Sequence, residues 1–378
     1  MQRICILSSR ARHPPLSLSR GVLRRLSTFT PSYEYKNVPA LTAPQLLKVY
    51  SQLSKSRLSL LVVLTAMSGV ALSPLPATIP TLLATAAGTA LCSASANALN
   101  QLQEVPFDAQ MARTRNRPLV RRAITPLHAA GFALATGVSG PLLLLTMTNP
   151  TTAALGAFNI WLYAGAYTWM KRKSIYNTWL GSVVGAIPPV MGWTACGGHI
   201  LPSAAYPVHL FLPSFLSSSP APVDLALVDN PLGAFALFML LYSWQFPHFF
   251  GLAHLVRASY AQAGFRMLSV TSPPKAALVS IRHALLLIPV CSVLMPISGL
   301  TTWAFAVTSL VPNLICARAA WLFLRVGGEK EARVLFRNYL WYLPVVMALM
   351  MLHKQGLQWG RWLGLEADEE KKELDKAL

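Results

Sequence analysis

The stretch Asn97–Pro118, NALNQLQEVPFDAQMARTRNRP, gathers polar chemistry inside an otherwise apolar chain. Between residues 35 and 223 the only acids are Glu104 and Asp108. No Lys or Arg occurs between Leu58 and Ala112, and then Arg113, Arg115, Arg117, Arg121 and Arg122 follow within ten positions. Asn100, Glu104 and Asp108 stand at i, i+4 and i+8, so on a helix they line one face, drifting by about 40° per step. Three hard oxygen donors on one stripe suit Mg²⁺, which binds through one or two carboxylates together with substrate phosphates. The arginines supply the complement, because guanidinium grips phosphate oxygens in pairs. Pro106 removes a helical donor and disfavours helix at Val105, which predicts Asp108 on a kink or just beyond the helix. A solvated interfacial loop with mutually neutralising charges is the plainer reading. The isolation of the two acids argues against it, since ionisable groups in or beside lipid are costly and mark function.

The run Asn100-x3-Glu104-x3-Asp108-x4-Arg113-Thr114-x2-Arg117-Pro118 resembles the first aspartate-rich motif of the intramembrane UbiA-type prenyltransferases. The wording EVPFD followed by RTRNRPLVR is similar to the haem O synthase (protohaem IX farnesyltransferase) branch, over about residues 55 to 353. The resemblance implies an Mg²⁺ site at Asn100, Glu104 and Asp108, and a diphosphate site at Arg113, Arg117, Lys171 and Arg172. It also implies catalytic roles for Lys171, Tyr167 and Arg113.

Tyr167 and Lys171 are at i and i+4 and share a helix face, with Arg172, Lys173, Tyr176 and Asn177 following. Lys171 can neutralise a departing diphosphate, and Tyr167 can offer a hydrogen bond and a π-face to an allylic cation. Arg172 and Lys173 read equally well as anchors at a membrane surface. A third cluster, Trp244-Gln245-Phe246-Pro247-His248-Phe249-Phe250 with His254, Arg257 and Tyr260, again resembles the haem O synthases, and its His248, His254, Arg257 and Tyr260 are expected to meet the haem or another acceptor. Histidine suits iron and accepts a proton near neutral pH; a packed interfacial histidine is the alternative for His248 and His254. The wider family carries a second aspartate-rich motif here, whereas this chain has no acid between Asp229 and Glu329 and has Ser259 before Tyr260. That departure puts a second carboxylate-held Mg²⁺ in doubt, and leaves histidine to replace it in part or to bind the haem iron.

These groups must be positioned by membrane-spanning helices. Of 378 residues, 54% are hydrophobic and 12% charged, and the mean hydropathy is +0.46. That describes an all-α polytopic membrane protein. We expect about nine transmembrane helices, at 58–76, 81–103, 126–147, 150–170, 178–197, 232–256, 282–300, 302–325 and 335–353, around a central cavity. Pro188-Pro189 in the fifth is expected to kink or break it. The net charge of +19 does not point to nucleic acid, because the basic residues sit in short loops between apolar spans. Four alternate connections and their flanks carry sixteen Lys and Arg, while the other four carry none. This asymmetry orients the chain. Residues 1–40 are rich in Arg and Ser and have no acid before Glu34, the pattern of a mitochondrial presequence with cleavage around Leu26 to Thr30. The basic loops, the amino terminus and the cavity mouth then face the matrix side of the inner membrane.

The domain reading is a presequence and amino-terminal segment at 1–40, a transmembrane prenyltransferase domain at 55–353 and a short charged tail at 354–378. Loop 198–230, with His199 and His209, shows no chemistry. Arg318 in the eighth span is read as snorkelling to the surface or meeting a haem propionate. The five cysteines have no metal spacing. The expected reaction, as the resemblance implies it, transfers farnesyl from farnesyl diphosphate to a vinyl group of haem b, giving haem O for a downstream haem A synthase. Alternatives are a UbiA-type enzyme with another acceptor, such as a quinone-precursor ring, and a non-catalytic haem-binding assembly protein or carrier.

Overall fold

Helix starts are written plainly in this chain. Thr78, Thr125, Asn149 and Asn230 each cap a helix, each accepts a backbone N–H two or three residues on, and each is followed by Pro within the first turn. A capping oxygen satisfies an orphan donor, and proline loses nothing where no donor is needed. The computed structural model of the chain describes residues 40–213 and 228–357, with Val38 and Leu216. Nearly all of the presequence expected over 1–40 and of the tail expected from 354 lies outside the described residues.

The described chain is all helical, and its only bridge is the isolated pair Thr301–Lys354. In order it forms α1 (Ala43–Leu53), α2 (Ser56–Leu72), α3 (Ile79–Asp108), α4 (Pro126–Met147), α5 (Pro150–Trp161), α6 (Asn177–Ala195) and α7 (Pro231–Leu255). The short α8 (Arg257–Gln262) and α9 (Leu268–Thr271) precede α10 (Pro273–Pro289), α11 (Ala304–Thr308), α12 (Leu310–Arg325) and α13 (Gly328–Leu352). A π-helical stretch, Leu162–Tyr167, continues α5 into Thr168–Met170, and another, Val290–Leu294, continues α10 into Met295–Ile297.

Each of the nine expected spans falls on helical chain, with shifted bounds. α10 begins at Pro273 and α13 at Gly328, several residues before the expected starts. Among the described residues, α3, α4, Pro273–Ile297, Ala304–Arg325 and α13 are long and apolar enough to cross a membrane. α1 and α2, bent by 58° at their junction, make a sixth candidate as a pair. The helices over 150–170, 177–195 and 231–255 do not meet that criterion. Of these, α6 and α7 are mostly wrapped by other helices: α6 packs on α2, α5 and α7, and α7 packs on α6, α10 and α13. Outward-facing apolar side chains such as Leu60, Leu83, Leu134 and Val311 present the bundle to lipid.

The kink or break expected at Pro188-Pro189 is not a break: α6 runs continuously through both. The tertiary contacts that hold it are tight. A Cβ on Gly192 would lie 1.9 Å from the Ala66 carbonyl oxygen, and one on Gly69 would lie 2.0 Å from the Pro189 carbonyl oxygen. The α2 and α6 backbones therefore touch, as small residues allow between membrane helices. Pro106 likewise lies inside α3, and Asp108 is the last residue of the helix rather than lying beyond it. The freed terminal carbonyls find partners there: Gln110 Nε2 donates to Pro106 O at 3.0 Å and Thr114 Oγ1 to Asp108 O at 2.9 Å.

Candidate active site

Asn100, Glu104 and Asp108 are buried on the last turns of α3 and face one cavity of about 230 Å³. The helix ends set this place. The carboxyl ends of α3, α5 and α7 and the amino end of α2 supply its walls, and the loop 109–125 closes over it. That loop folds in successive turns, with Arg115 N–H donating to Met111 O at 2.9 Å and Arg121 N–H to Arg117 O at 3.0 Å.

Each oxygen donor meets a cation. Lys171 Nζ lies 2.8 Å from Glu104 Oε1. The Arg117 guanidinium pairs with Asp108 Oδ2 and stands 3.7 Å from Glu104 Oε2. Lys55 Nζ donates to Asn100 Oδ1 at 3.0 Å and to the Tyr163 hydroxyl at 3.3 Å. With Arg113, four basic side chains line a cavity that holds two carboxylates, so basic groups outnumber acids there. Buried charge of one sign without compensation is expensive, so this excess matches a polyanionic ligand.

The supporting contacts are specific. Asn100 Nδ2 donates to Thr168 Oγ1 at 3.0 Å, and Thr168 donates to Tyr163 O at 2.8 Å, inside the π-helical stretch. Such wide turns free carbonyls and are common at functional sites. The Tyr167 ring lies under Lys171, whose Nζ is 4.7 Å from the ring centroid. Gly181 makes room for it: a Cβ there would be 2.8 Å from Tyr167 Cε2. Arg266 N–H donates to Lys171 O at 2.9 Å and Asn177 Nδ2 donates to Arg266 O at 3.0 Å, which fixes the chain carrying Lys171. Arg113 donates to the Tyr260 hydroxyl at 2.8 Å and sits 5.2 Å from its ring.

The donors fit a hard divalent cation. Asp108 Oδ1 is buried without a hydrogen-bond partner among the described residues. Two carboxylates and an amide oxygen form an incomplete oxygen set of the kind Mg²⁺ completes with phosphate and water. The opposite wall, Phe249, Tyr260, Phe265 and Met267, offers no carboxylate.

The sequence-expected residues divide. Asn100, Glu104, Asp108, Arg113, Arg117, Tyr167, Lys171 and Tyr260 come together at this cavity. Arg172 is exposed, stacked 4.3 Å from the Phe107 ring centroid. Arg257 is exposed and lies 3.4 Å from His254 Nε2. The His248 ring stacks on Trp244 and lies against the tilted ring of Phe336, and His254 packs edge-on to Phe323, so both point toward neighbouring helices and neither lines the cavity. Lys55, Tyr163, Phe265 and Met267 were not singled out from sequence, whereas Phe249 lies in the Trp244–Phe250 run that was. A lone lysine before an apolar run reads as an ordinary surface anchor, and the others are apolar residues whose facing depends on packing.

A second, apolar cavity of about 90 Å³ shares Leu58 with the first. Val62, Cys92, Ile160, Val184 and Met191 form its walls, and Tyr163 and Asn97 stand in its lining.

The profile of the UbiA prenyltransferase family matches residues 62–343. The chain belongs to the UbiA prenyltransferase family. A relative described as a mitochondrial protoheme IX farnesyltransferase, from Neurospora crassa, is 42% identical over 354 residues. That match covers 89% of this chain and 66% of the relative, so the chain spans just under two thirds of its length. Among solved UbiA-like folds, a digeranylgeranylglyceryl phosphate synthase superposes with a TM-score of 0.62 at 14% identity, covering 81% of this chain and 98% of that one. A UbiA homolog from Archaeoglobus fulgidus bound to DMAPP and Mg²⁺ superposes with a TM-score of 0.52 at 13% identity, covering 80% and 98%.

Proposed function

We propose that this UbiA-family chain transfers the farnesyl group of farnesyl diphosphate to a vinyl group of haem b, giving haem O. The observation that carries the reading is the cation-rich cavity with two buried carboxylates, set against an apolar cavity that suits an isoprenoid chain. The haem acceptor is supported by the likeness to the Neurospora relative described as a protoheme IX farnesyltransferase, and the metal by the Mg²⁺ in the Archaeoglobus homolog.

Asn100, Glu104 and Asp108 hold one Mg²⁺, which when bound neutralises charge on the diphosphate. Arg113, Arg117 and Lys171 grip the diphosphate oxygens and stabilise the charge that grows there as the C–O bond breaks. Tyr167 presents its ring to the allylic cation, and the walls formed by Leu58, Val62 and Ile160 keep water from it. The vinyl carbon attacks farnesyl C1. The carbocation left on the neighbouring carbon takes water and loses a proton, which completes a hydroxyethylfarnesyl side chain. Phe249, Phe265 and Met267 form the wall on which the acceptor ring rests, and Tyr260 orients Arg113. In this reading the enzyme sits in the mitochondrial inner membrane with the site toward the matrix, and a haem A synthase consumes the product.

The test is incubation of purified protein with haem b, farnesyl diphosphate and Mg²⁺, followed by mass analysis of the haem. A farnesylated, hydrated haem is expected. Prenyl transfer only to a different acceptor would keep the diphosphate site and discard haem, and no prenyl chemistry with folded protein would overturn the reading.

A further inference from the structure

Lys55 is a site residue that no motif announces. It joins α1 to α2 in the left-handed conformation, at φ 48° and ψ 55°, where only one other described non-glycine residue, Arg122, has a positive φ. L side chains adopt that region at a cost, and such outliers gather at functional sites. The turn carries the Lys55 amine inward onto Asn100 Oδ1. All three members of the metal-donor set are thus held in one way: Lys55 on Asn100, Lys171 on Glu104 and Arg117 on Asp108.

We propose that Lys55, together with Lys171 and Arg117, guards the oxygen donors of the metal site and yields them only to a diphosphate, so that divalent cation and diphosphate bind as a coupled pair. This rests on the diphosphate reading of the cavity given above. A divalent cation arriving alone must displace three positive groups from its ligands and then lie among them, with like charges repelling in a poorly screened site. A diphosphate offers those same cations stronger, doubly charged acceptors. As they turn to it, Asn100, Glu104 and Asp108 are released to the metal. Lys55 is suited to this exchange, because a lysine ammonium swings on a flexible four-carbon stem. Its second partner, the Tyr163 hydroxyl, stands at the apolar cavity, so the amine already bridges the metal donors and the entrance to that cavity. Lys55 is here a positioning residue: it sets when Asn100 is free. Coupling of this kind is reciprocal, so the metal must raise diphosphate affinity by the same factor.

The experiment titrates Mn²⁺ by electron paramagnetic resonance into the full-length protein in lipid nanodiscs, with and without inorganic pyrophosphate, correcting for the Mn²⁺–pyrophosphate complex formed in solution. Pyrophosphate is expected to tighten Mn²⁺ binding by about tenfold or more. Lys55→Met, with folding checked by thermal unfolding, is expected to bind Mn²⁺ alone more tightly than wild type and to show a smaller pyrophosphate effect, with Lys55→Arg restoring it. Lys171→Met reports the same exchange at Glu104. Equal Mn²⁺ affinity with and without pyrophosphate, or a Lys55→Met protein with unaltered Mn²⁺ affinity, would overturn the proposal and leave the prenyltransferase reading standing. Failure of Mn²⁺ and pyrophosphate to bind in any combination would remove the diphosphate site itself, and the proposal with it.

Discussion

Asp108 keeps one buried carboxylate oxygen without a hydrogen-bond partner among the described residues, and Lys171 pairs with Glu104. In the proposed reaction the first meets the metal ion and the second the leaving diphosphate, so removing either would take away stabilisation that matters most in the transition state. Asp108→Ala and Lys171→Ala are each expected to lower kcat/KM by about 10²–10³-fold, as loss of one preorganised electrostatic contact does. Both variants should still insert and unfold cooperatively, and wild-type turnover by either would sink the assignment. Tyr260 makes a finer case. Because its hydroxyl accepts from Arg113, Tyr260→Phe costs one charge-assisted hydrogen bond, and kcat/KM should fall by roughly tenfold. If Tyr260 instead held the acceptor, Tyr260→Phe would raise KM for haem and leave KM for farnesyl diphosphate unchanged, so a two-substrate kinetic analysis separates the two roles.

At the scale of elements, the site depends on how closely helices approach. Gly181 on α6 leaves space for Tyr167 on the π-helical stretch after α5. Gly181→Ala puts a methyl group 2.8 Å from that ring, a contact the ring must shift to relieve. A displacement of this size at a reacting centre costs up to about 10²-fold in rate. Activity should therefore drop with little change in thermal midpoint. Gly192→Leu is the converse. It forces α2 and α6 apart far from the cations, where over-packing costs about 1–3 kcal/mol, and the loss should appear as a lower unfolding temperature in detergent. The helices themselves were legible in the sequence, because 20-residue apolar runs report on local chain physics. The π-helical stretch was not, since a widened turn depends on neighbours such as Thr168 and Gln103, whose Nε2 donates to Ala164 O at 2.8 Å.

At the scale of the whole molecule, two groups of helices meet across α6, and the carboxyl end of α13 returns to the first half. Lys354 Nζ donates to Ala71 O at 2.8 Å and Ser73 O at 2.9 Å, capping the end of α2 from nearly the other end of the described chain. A cation at a helix carboxyl terminus is favourable. Lys354→Met should cost about 1–2 kcal/mol through lost charged hydrogen bonds, measured by thermal unfolding, with turnover per folded molecule unchanged. Loop 198–230, which showed no chemistry in sequence, is tied in at its described ends: the backbone N–H of His199 donates to Asp229 Oδ2 at 2.9 Å, and Phe211 N–H donates to Ile297 O at 2.9 Å.

The sequence by itself determined the all-helical membrane class, the basic loops on alternate connections and the stripe of Asn100, Glu104 and Asp108. Those features are local or periodic, and the cost of charge beside lipid makes them conspicuous. Tertiary structure alone decided which groups share the cavity. It turned His248 and His254 toward neighbouring helices and carried Lys55 inward through a left-handed turn. It also kept α6 helical through Pro188-Pro189 by close packing on α2. The reason is physical: which way a side chain faces, and which cation meets which oxygen, depends on contacts between residues far apart in the chain, 147 positions for Arg113 and Tyr260, and spacing along one helix does not encode them.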